Sequence, residues 1–145
     1  LIDALPSGAT LLVTADHGMV DCRPAARISI EDTAALMHGV HRVAGEPRAR
    51  HVYARAGAAV DVEQAWRSEL KGRAMVLTRA QVIDEGLLGR VDEALEERIG
   101  DIMAVPSGRG MLASKVDSRV SRLLGQHGAL TPDEVRIPAL LHRRT

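Results

Sequence analysis

Residues 9–19 read Ala-Thr-Leu-Leu-Val-Thr-Ala-Asp-His-Gly-Met, and the rest of the chain is interpreted outward from this stretch. The apolar run over residues 9–13 has turn signals on both sides and predicts a buried strand. Asp16 and His17 then stand at its carboxyl end, the edge of an α/β sheet where ligands bind. Gly18 permits an immediate turn, so both side chains can reach one ion.

The acid and the imidazole have two interpretations. A carboxylate beside a histidine at a strand end is suited to binding a metal ion. Alternatively, Asp16 caps a turn and His17 is a neighbour without a role in ligation. A second histidine in a similar setting favours the metal site.

This second histidine, His127, lies between glycines near the carboxyl end of the chain. Thr131 as N-cap, Pro132 as first helical residue and Glu134 three after the cap predict a capping box, so His127 lies on a tight loop held by a helix. Glycines let the backbone approach an ion, and imidazole is a common zinc ligand. Glu134 is better explained as the cap of its own helix than as an acid catalyst.

The two motifs together resemble the alkaline phosphatase superfamily. The first is Thr-Ala-Asp-His-Gly-Met after an apolar strand, and the second is Gly-x-His-Gly-x-Leu-Thr-Pro-x-Glu-x-x-x-Pro. The chain is most similar to the nucleotide pyrophosphatase/phosphodiesterase branch, whose pattern Glu134 and Pro138 fit. The resemblance implies an α/β fold, the C-terminal part of an alkaline-phosphatase-like mixed sheet with helices on both faces.

The resemblance also implies a site with two divalent metal ions, usually zinc, which can stabilise the attacking and the leaving oxygen of a displacement. Asp16 and His17 would bind the metal that activates the nucleophile, and His127 would bind the other. The family's Thr or Ser nucleophile and its remaining ligands, an early Asp and an Asp-x-x-x-His pair, precede the strand. Nothing among residues 1–15 matches them, so no catalytic nucleophile is expected in this chain.

Residues 1–145 are therefore expected to form a single unit, the C-terminal fragment of a larger catalytic domain. The expected function is that of a metal-dependent phosphoric ester hydrolase of the phosphodiesterase/nucleotide pyrophosphatase type, with a small-molecule phosphoester as substrate. The isolated fragment is expected to be inactive. The alternative is a non-catalytic alkaline-phosphatase-like domain that acts as a binding or structural module.

The composition of the chain argues against some other classes of protein. Nineteen basic and nineteen acidic residues give a formal net charge of zero, so no global field attracts a polyanion. With no Phe, one Trp and one Tyr, the chain lacks a platform on which bases could stack, and no nucleic-acid polymer is expected as a partner. No apolar run has the length of about 18 residues that a membrane helix needs. Cys22 is the only cysteine, which excludes an intrachain disulfide and leaves the compartment open.

Between the motifs, helices and strands alternate. Helices are predicted over residues 31–43, 62–70, 79–86 and 91–99, the third opened by a capping box at Thr78. Strands are predicted over residues 50–55, 74–77 and 101–105.

Several further residues are better explained by a structural or surface role than by a functional one. His38, His41 and His51 are expected at the surface or hydrogen-bonded in the core rather than in a metal site. Arg109 is expected at a hairpin tip, and the last three residues before Thr145 in a solvated tail. Asp21 is equally compatible with orienting a ligand and with a surface position.

Overall fold

The computed structural model describes residues 2–144. The strands of this part are β1 (Thr10–Thr14), β2 (Val20–Asp21), β3 (Arg27–Ser29), β4 (Val40–Glu46), β5 (Ala49–Ala54), β6 (Ala74–Thr78), β7 (Ile102–Pro106), β8 (Met111–Ala113), β9 (Gly125–Gln126) and β10 (Ala139–Arg143). The α-helices are α1 (Ala34–Met37), α2 (Ala59–Glu69), α3 (Arg79–Asp84) and α4 (Pro132–Val135). Turns of 3₁₀-helix occur at Ile2–Ala4, Pro24–Ala26, Glu93–Arg98, Lys115–Asp117 and Val120–Arg122.

The centre of the molecule is a four-stranded antiparallel sheet with the strand order β4-β5-β7-β6. Strand β7 is buried along its whole length, and its side chains alternate between two apolar clusters. Ile102 packs in one cluster with Trp66 of α2, and Met103 packs in the other with Val82 of α3. Helices therefore cover both faces of this sheet, as the resemblance implied.

The cluster around α2 is fixed by a hydrogen bond as well as by packing. Trp66 is fully buried, and its indole Nε1 donates to the main-chain oxygen of Leu36 at 2.9 Å. This bond satisfies the one polar group of the side chain and ties α2 to α1.

Three pairs of short strands surround the central sheet. β1 and β10 are antiparallel, β2 and β9 are antiparallel, and β3 and β8 are parallel. The β2–β9 pair matters most for function, because Val20 lies opposite Gln126, next to His127. This pairing connects the two motifs that the sequence singles out.

Many local predictions are confirmed. β1, β5, β6 and β7 lie within a residue or two of the predicted strands, and α2 covers the predicted second helix. The capping box of α3 is complete, since the Thr78 hydroxyl accepts from the Gln81 main chain and the Gln81 side chain accepts from the Thr78 main chain.

The burial predicted for β1 is wrong, because no element among residues 2–144 covers either face of this strand and Leu12 and Val13 are exposed. Three predictions of secondary structure are also wrong. The helix predicted over residues 31–43 is limited to α1, because Gly39 adopts a positive φ of 73° and the chain continues as β4. The region 91–99 forms a 3₁₀-helix over Glu93–Arg98 instead of an α-helix. The expected solvated tail contains β10, which pairs with β1 from Thr10 opposite Arg143 to Thr14 opposite Ala139.

Candidate metal centre

Asp16 and His17 lie two and three residues after the end of β1, at its carboxyl end as predicted, and both are accessible to solvent. The Asp16 side chain is 87% exposed, and that of His17 is 35% exposed. The main-chain N–H of His17 donates to Asp16 Oδ1 at 3.1 Å, which holds the carboxylate beside the ring. Both side chains are accessible to a ligand from solvent.

The hydrogen bonding of His17 selects its tautomer. Nδ1 lies 2.8 Å from the carbonyl oxygen of Gly18, and a carbonyl only accepts, so Nδ1 carries the proton. Nε2 then has a free lone pair and lies 3.6 Å from Asp16 Oδ2. An imidazole fixed through one nitrogen by a carbonyl oxygen is the usual arrangement of a metal-binding histidine.

Main-chain hydrogen bonding and nearby histidines hold the pKa of Asp16 low. Its own main-chain N–H lowers the pKa of the carboxyl below the ordinary value, and the nearby His17 and, more weakly, His127 act in the same direction. The carboxylate is therefore in the form that binds cations.

His127 comes from the far end of the chain to the same place. Its ring stacks on the ring of His17 with 3.7 Å between centroids and 11° between planes. Two interactions make this contact possible. The first is the pairing of β2 with β9, and the second is a main-chain hydrogen bond in which the Gly18 N–H donates to the Glu134 carbonyl oxygen at 2.8 Å. The structure thus brings together all three residues that the sequence nominated.

The donor set is chemically suited to zinc. Two ligand atoms about 2.1 Å from a tetrahedral ion are separated by about 3.4 Å, close to the distance between His17 Nε2 and Asp16 Oδ2. Within residues 2–144, however, no group of three or more His, Cys, Asp or Glu side chains converges on one metal position. The described residues therefore do not by themselves form a metal site with three protein ligands.

Glu134 does not have the predicted role. Thr131 is the N-cap of α4 and Pro132 its first residue, but no side chain completes the cap. Instead, the Glu134 carboxylate is buried and paired with Arg48, with Nε to Oε1 at 2.6 Å and Nη2 to Oε2 at 2.7 Å. Burial raises the pKa of Glu134, but the hydrogen bonds from Arg48, Thr131 and the Ala129 N–H outweigh it and hold the pKa below its ordinary value. Sequence reasoning missed Arg48, because the side chain of an arginine in a hairpin turn is ordinarily exposed to solvent.

The remaining candidates have the surface or hydrogen-bonded positions that the sequence predicts. His51 is half-buried and accepts a hydrogen bond from the Gly100 N–H at 3.2 Å, whereas His41 is exposed. Arg109 is exposed in the turn between β7 and β8. Cys22 is a fully buried thiol, and burial raises its pKa. Its Sγ donates to the Gly110 oxygen at 3.6 Å and accepts from Arg48 Nη1 at 3.7 Å.

Two further side chains have surface positions. His38 is exposed after α1, and Asp21 is exposed on β2.

No helix among residues 2–144 has both the length and the apolar character needed to cross a membrane.

The chain matches a known protein family. Residues 1–130 match the family model described as type I phosphodiesterase / nucleotide pyrophosphatase. No curated protein matches the chain.

Solved structures share the fold. Human ectonucleotide pyrophosphatase/phosphodiesterase 5 superimposes with a TM-score of 0.73 at 18% identity, over 94% of this chain and 34% of that one. An inactive form of the murine protein in complex with AMP gives a TM-score of 0.72 at 19% identity, with the same coverage. Phosphonoacetate hydrolase from Sinorhizobium meliloti 1021, in complex with phosphonoformate, gives 0.66 at 23% identity, over 95% and 37% of the two chains. The chain therefore has the predicted alkaline-phosphatase-like fold and spans about a third of these structures.

Proposed function

Since this chain belongs to the type I phosphodiesterase / nucleotide pyrophosphatase family, we propose that it is part of a metal-dependent hydrolase of phosphoric esters. The observation that carries the proposal is the His17–His127 stack beside Asp16. Three donors of the types that zinc binds, from the two ends of the chain, lie next to one another without converging on one metal position among residues 2–144.

The two histidines are suited to different ions. An imidazole nitrogen directs its lone pair in the plane of its ring, and the two rings are nearly parallel. Their lone pairs therefore lie in separate planes, which favours two neighbouring ions over one shared ion. We assign Asp16 and His17 to one divalent ion and His127 to the other, with zinc as the expected metal.

Two bound divalent ions would stabilise charge on the attacking and leaving oxygens of a phosphoester. The part of this chain is to hold and orient them. His17 presents Nε2 because Gly18 holds Nδ1, and Asp16 presents an ionised carboxylate. The Thr or Ser nucleophile and the other ligands are proposed to lie outside residues 1–145.

We further propose that residues 1–145 form a single unit within a larger catalytic domain. The strand pair β1–β10 supports this, because its apolar side chains lie in solvent. Leu12 and Val13 of β1 are exposed, and Leu141 of β10 is 71% exposed. Neighbouring residues of a strand point to opposite faces, so both faces of the pair are uncovered. Such a pair is suited to the interior of a wider sheet.

The substrate class that we propose is a small-molecule phosphoester. The uncharged overall balance of the chain gives no attraction for a nucleic-acid polymer. The murine relative solved with AMP and the bacterial relative solved with phosphonoformate both hold small phosphorus-containing anions.

The test is metal analysis of the full-length protein followed by hydrolysis of bis(p-nitrophenyl) phosphate and p-nitrophenyl phosphate. About two zinc ions per chain, with turnover that a chelator abolishes and zinc restores, is the expected result. Faster turnover of the diester identifies a phosphodiesterase, and faster turnover of the monoester identifies a phosphatase. A folded protein that binds no metal and cleaves neither compound would establish the non-catalytic binding or structural module instead.

A further inference from the structure

Both loops that contain the candidate metal ligands end in hydrogen bonds to the same residue. The Gly18 N–H, next to His17, donates to the main-chain oxygen of Glu134 at 2.8 Å. The Ala129 N–H, two residues after His127, donates to Glu134 Oε1 at 3.0 Å. Glu134 thus binds the first loop through its main-chain oxygen and the second loop through its side chain.

The carboxylate of Glu134 is itself held from the other side by Arg48. Arg48 is fully buried, and its guanidinium donates through Nε and Nη2 to the two carboxylate oxygens. The remaining donors bind the β7–β8 turn and Cys22, with Nη2 to the Gly108 oxygen at 2.8 Å, Nη1 to the Gly110 oxygen and Nη1 to Cys22 Sγ at 3.7 Å. A bidentate pair with every donor engaged permits one geometry, so Glu134 is fixed relative to the turn after β7.

Close packing adds to this restraint. A Cβ at Gly18 would lie 1.9 Å from the main-chain oxygen of Asp133, so the His17 loop contacts the backbone of α4 directly. The loop can approach α4 this closely only because residue 18 is glycine.

We propose that Glu134 and Arg48 are positioning residues that hold His17 and His127 in their stacked arrangement and thereby set the geometry of the metal ligands. The inference rests on the proposed function, because it assigns the pair a role in metal binding. It gives a role to a buried charged pair of a kind that well-packed apolar side chains can often replace without loss of stability. A carboxylate can accept from Ala129, Thr131 and Arg48 at once, which an apolar side chain cannot do.

The experiment compares Glu134→Gln with a matched control in full-length protein. The Gln amide keeps the shape of the side chain but turns an N–H₂ toward the guanidinium and loses the charge. The control is Asp117→Asn, which makes the same change in the pair between Asp117 and buried Arg50, joined at 2.7 and 3.0 Å. No hydrogen bond of Asp117 reaches residues 17–18 or 127–134 among the described residues.

Two readouts are taken from each protein. The first is the nuclear Overhauser contact between the His17 and His127 rings in the metal-free state, and the second is zinc affinity by competition with a chromophoric chelator. We expect Glu134→Gln to lose the ring contact and to bind zinc about 10- to 100-fold more weakly, the size found for partners that orient metal ligands. Asp117→Asn is expected to change neither readout, although both variants lower thermal stability.

An unchanged ring contact in folded Glu134→Gln overturns the proposal. A lost contact in a protein whose wild type binds no zinc supports the positioning role and refutes the metal site, so the two failures are distinguishable. If Glu134→Gln does not fold, Arg48→Lys is used, which keeps the charge but not the bidentate contact. Loss of the ring contact in that variant supports the proposal, and an unchanged contact overturns it.

Discussion

His17 and His127 stack at 3.7 Å although they come from opposite ends of the chain. A metal ion binds an imidazole through the free lone pair of one ring nitrogen, so each of the two stacked rings offers one ligand atom. Loss of either ring is therefore expected to weaken metal binding.

His127→Ala in the full-length protein is expected to lower phosphoester hydrolysis by about two orders of magnitude or more, since outer partners of metal ligands alone are worth about 10- to 100-fold. Loss of about one metal ion per chain should accompany the loss of activity. His38→Ala is the control, because His38 is exposed after α1, outside the β1–β10 pair, and is expected to have no effect. Near-normal turnover and metal content in His127→Ala would remove His127 from the site.

The 145-residue chain alone is expected to hydrolyse neither a phosphodiester nor a phosphomonoester. Among residues 2–144 no three metal-binding side chains converge, so an ion would be held by too few protein ligands for catalysis. The measurement is turnover of p-nitrophenyl esters with added zinc, alongside circular dichroism to establish that the chain is folded. Turnover that rises with zinc concentration and disappears in His17→Ala would contradict this prediction.

The local parts of the site could be predicted from sequence because their signals are local. An apolar run followed by an acid, a histidine and a glycine indicates the end of a strand, and Thr131-Pro132 indicates the start of a helix. The structure places β1 and α4 accordingly. The convergence of His17 and His127 depends on pairing between β2 and β9, two strands of two residues each, which have no periodicity to detect.

Non-local contacts also explain the elements that the sequence misassigned. β4 contains apolar Val40 and Val43 at a spacing that fits a helix turn, and only pairing with β5 makes this segment a strand. The partner of β10 is β1, at the other end of the chain. The role of Arg48 is of the same kind, because burial of a guanidinium is decided by its partner Glu134 and not by its neighbours in sequence.

Gly18→Ala is expected to destabilise the protein by about 1–3 kcal/mol, the usual cost of inserting a methyl group into a packed place. The added Cβ would meet the main-chain oxygen of Asp133, which cannot move without shifting α4. Gly125→Ala is the matched control, since Gly125 also lies next to the site but its Cβ would meet only Met19 Sδ at 3.5 Å. Denaturant unfolding is expected to give a change within about 0.5 kcal/mol for the control. Equal stability of the two variants would show that α4 does not pack on Gly18 as described.

Arg48→Met is expected to destabilise the protein by about 3–5 kcal/mol, because it leaves the Glu134 carboxylate buried without its cation. Arg67→Met is the control. Arg67 pairs with Glu63 on the exposed side of α2, where such a pair is worth less than about 1 kcal/mol. Chemical denaturation at pH 7 measures both. A cost for Arg48→Met no larger than that of the control would mean that solvent reaches the Glu134 carboxylate.

The Arg48–Glu134 pair also predicts how the stability of the protein depends on pH. The folded-state pKa of Glu134 is held below its ordinary value of 4.5, so the contribution of the carboxylate is present above that pH and is lost as pH falls toward the folded-state pKa. The stability difference between wild type and Glu134→Gln should therefore be constant from pH 7 to about 5 and shrink in more acidic solution. A difference that is independent of pH down to the acid transition would exclude an ionised Glu134.

His51 gives a pH dependence in a different window. Burial lowers the pKa of its imidazole below the ordinary 6.5, and the neutral ring accepts a hydrogen bond from the Gly100 N–H. The unfolded chain therefore binds a proton at a higher pH than the folded chain does, so stability from this group is complete above pH 6.5 and falls as the solution becomes more acidic. His51→Gln keeps an acceptor for Gly100 but cannot titrate. Metal-free wild type should lose stability between pH 6.5 and 5 relative to His51→Gln, whereas exposed His41→Gln should follow wild type. Parallel unfolding curves for wild type and His51→Gln across this range would show that His51 is protonated equally in both states.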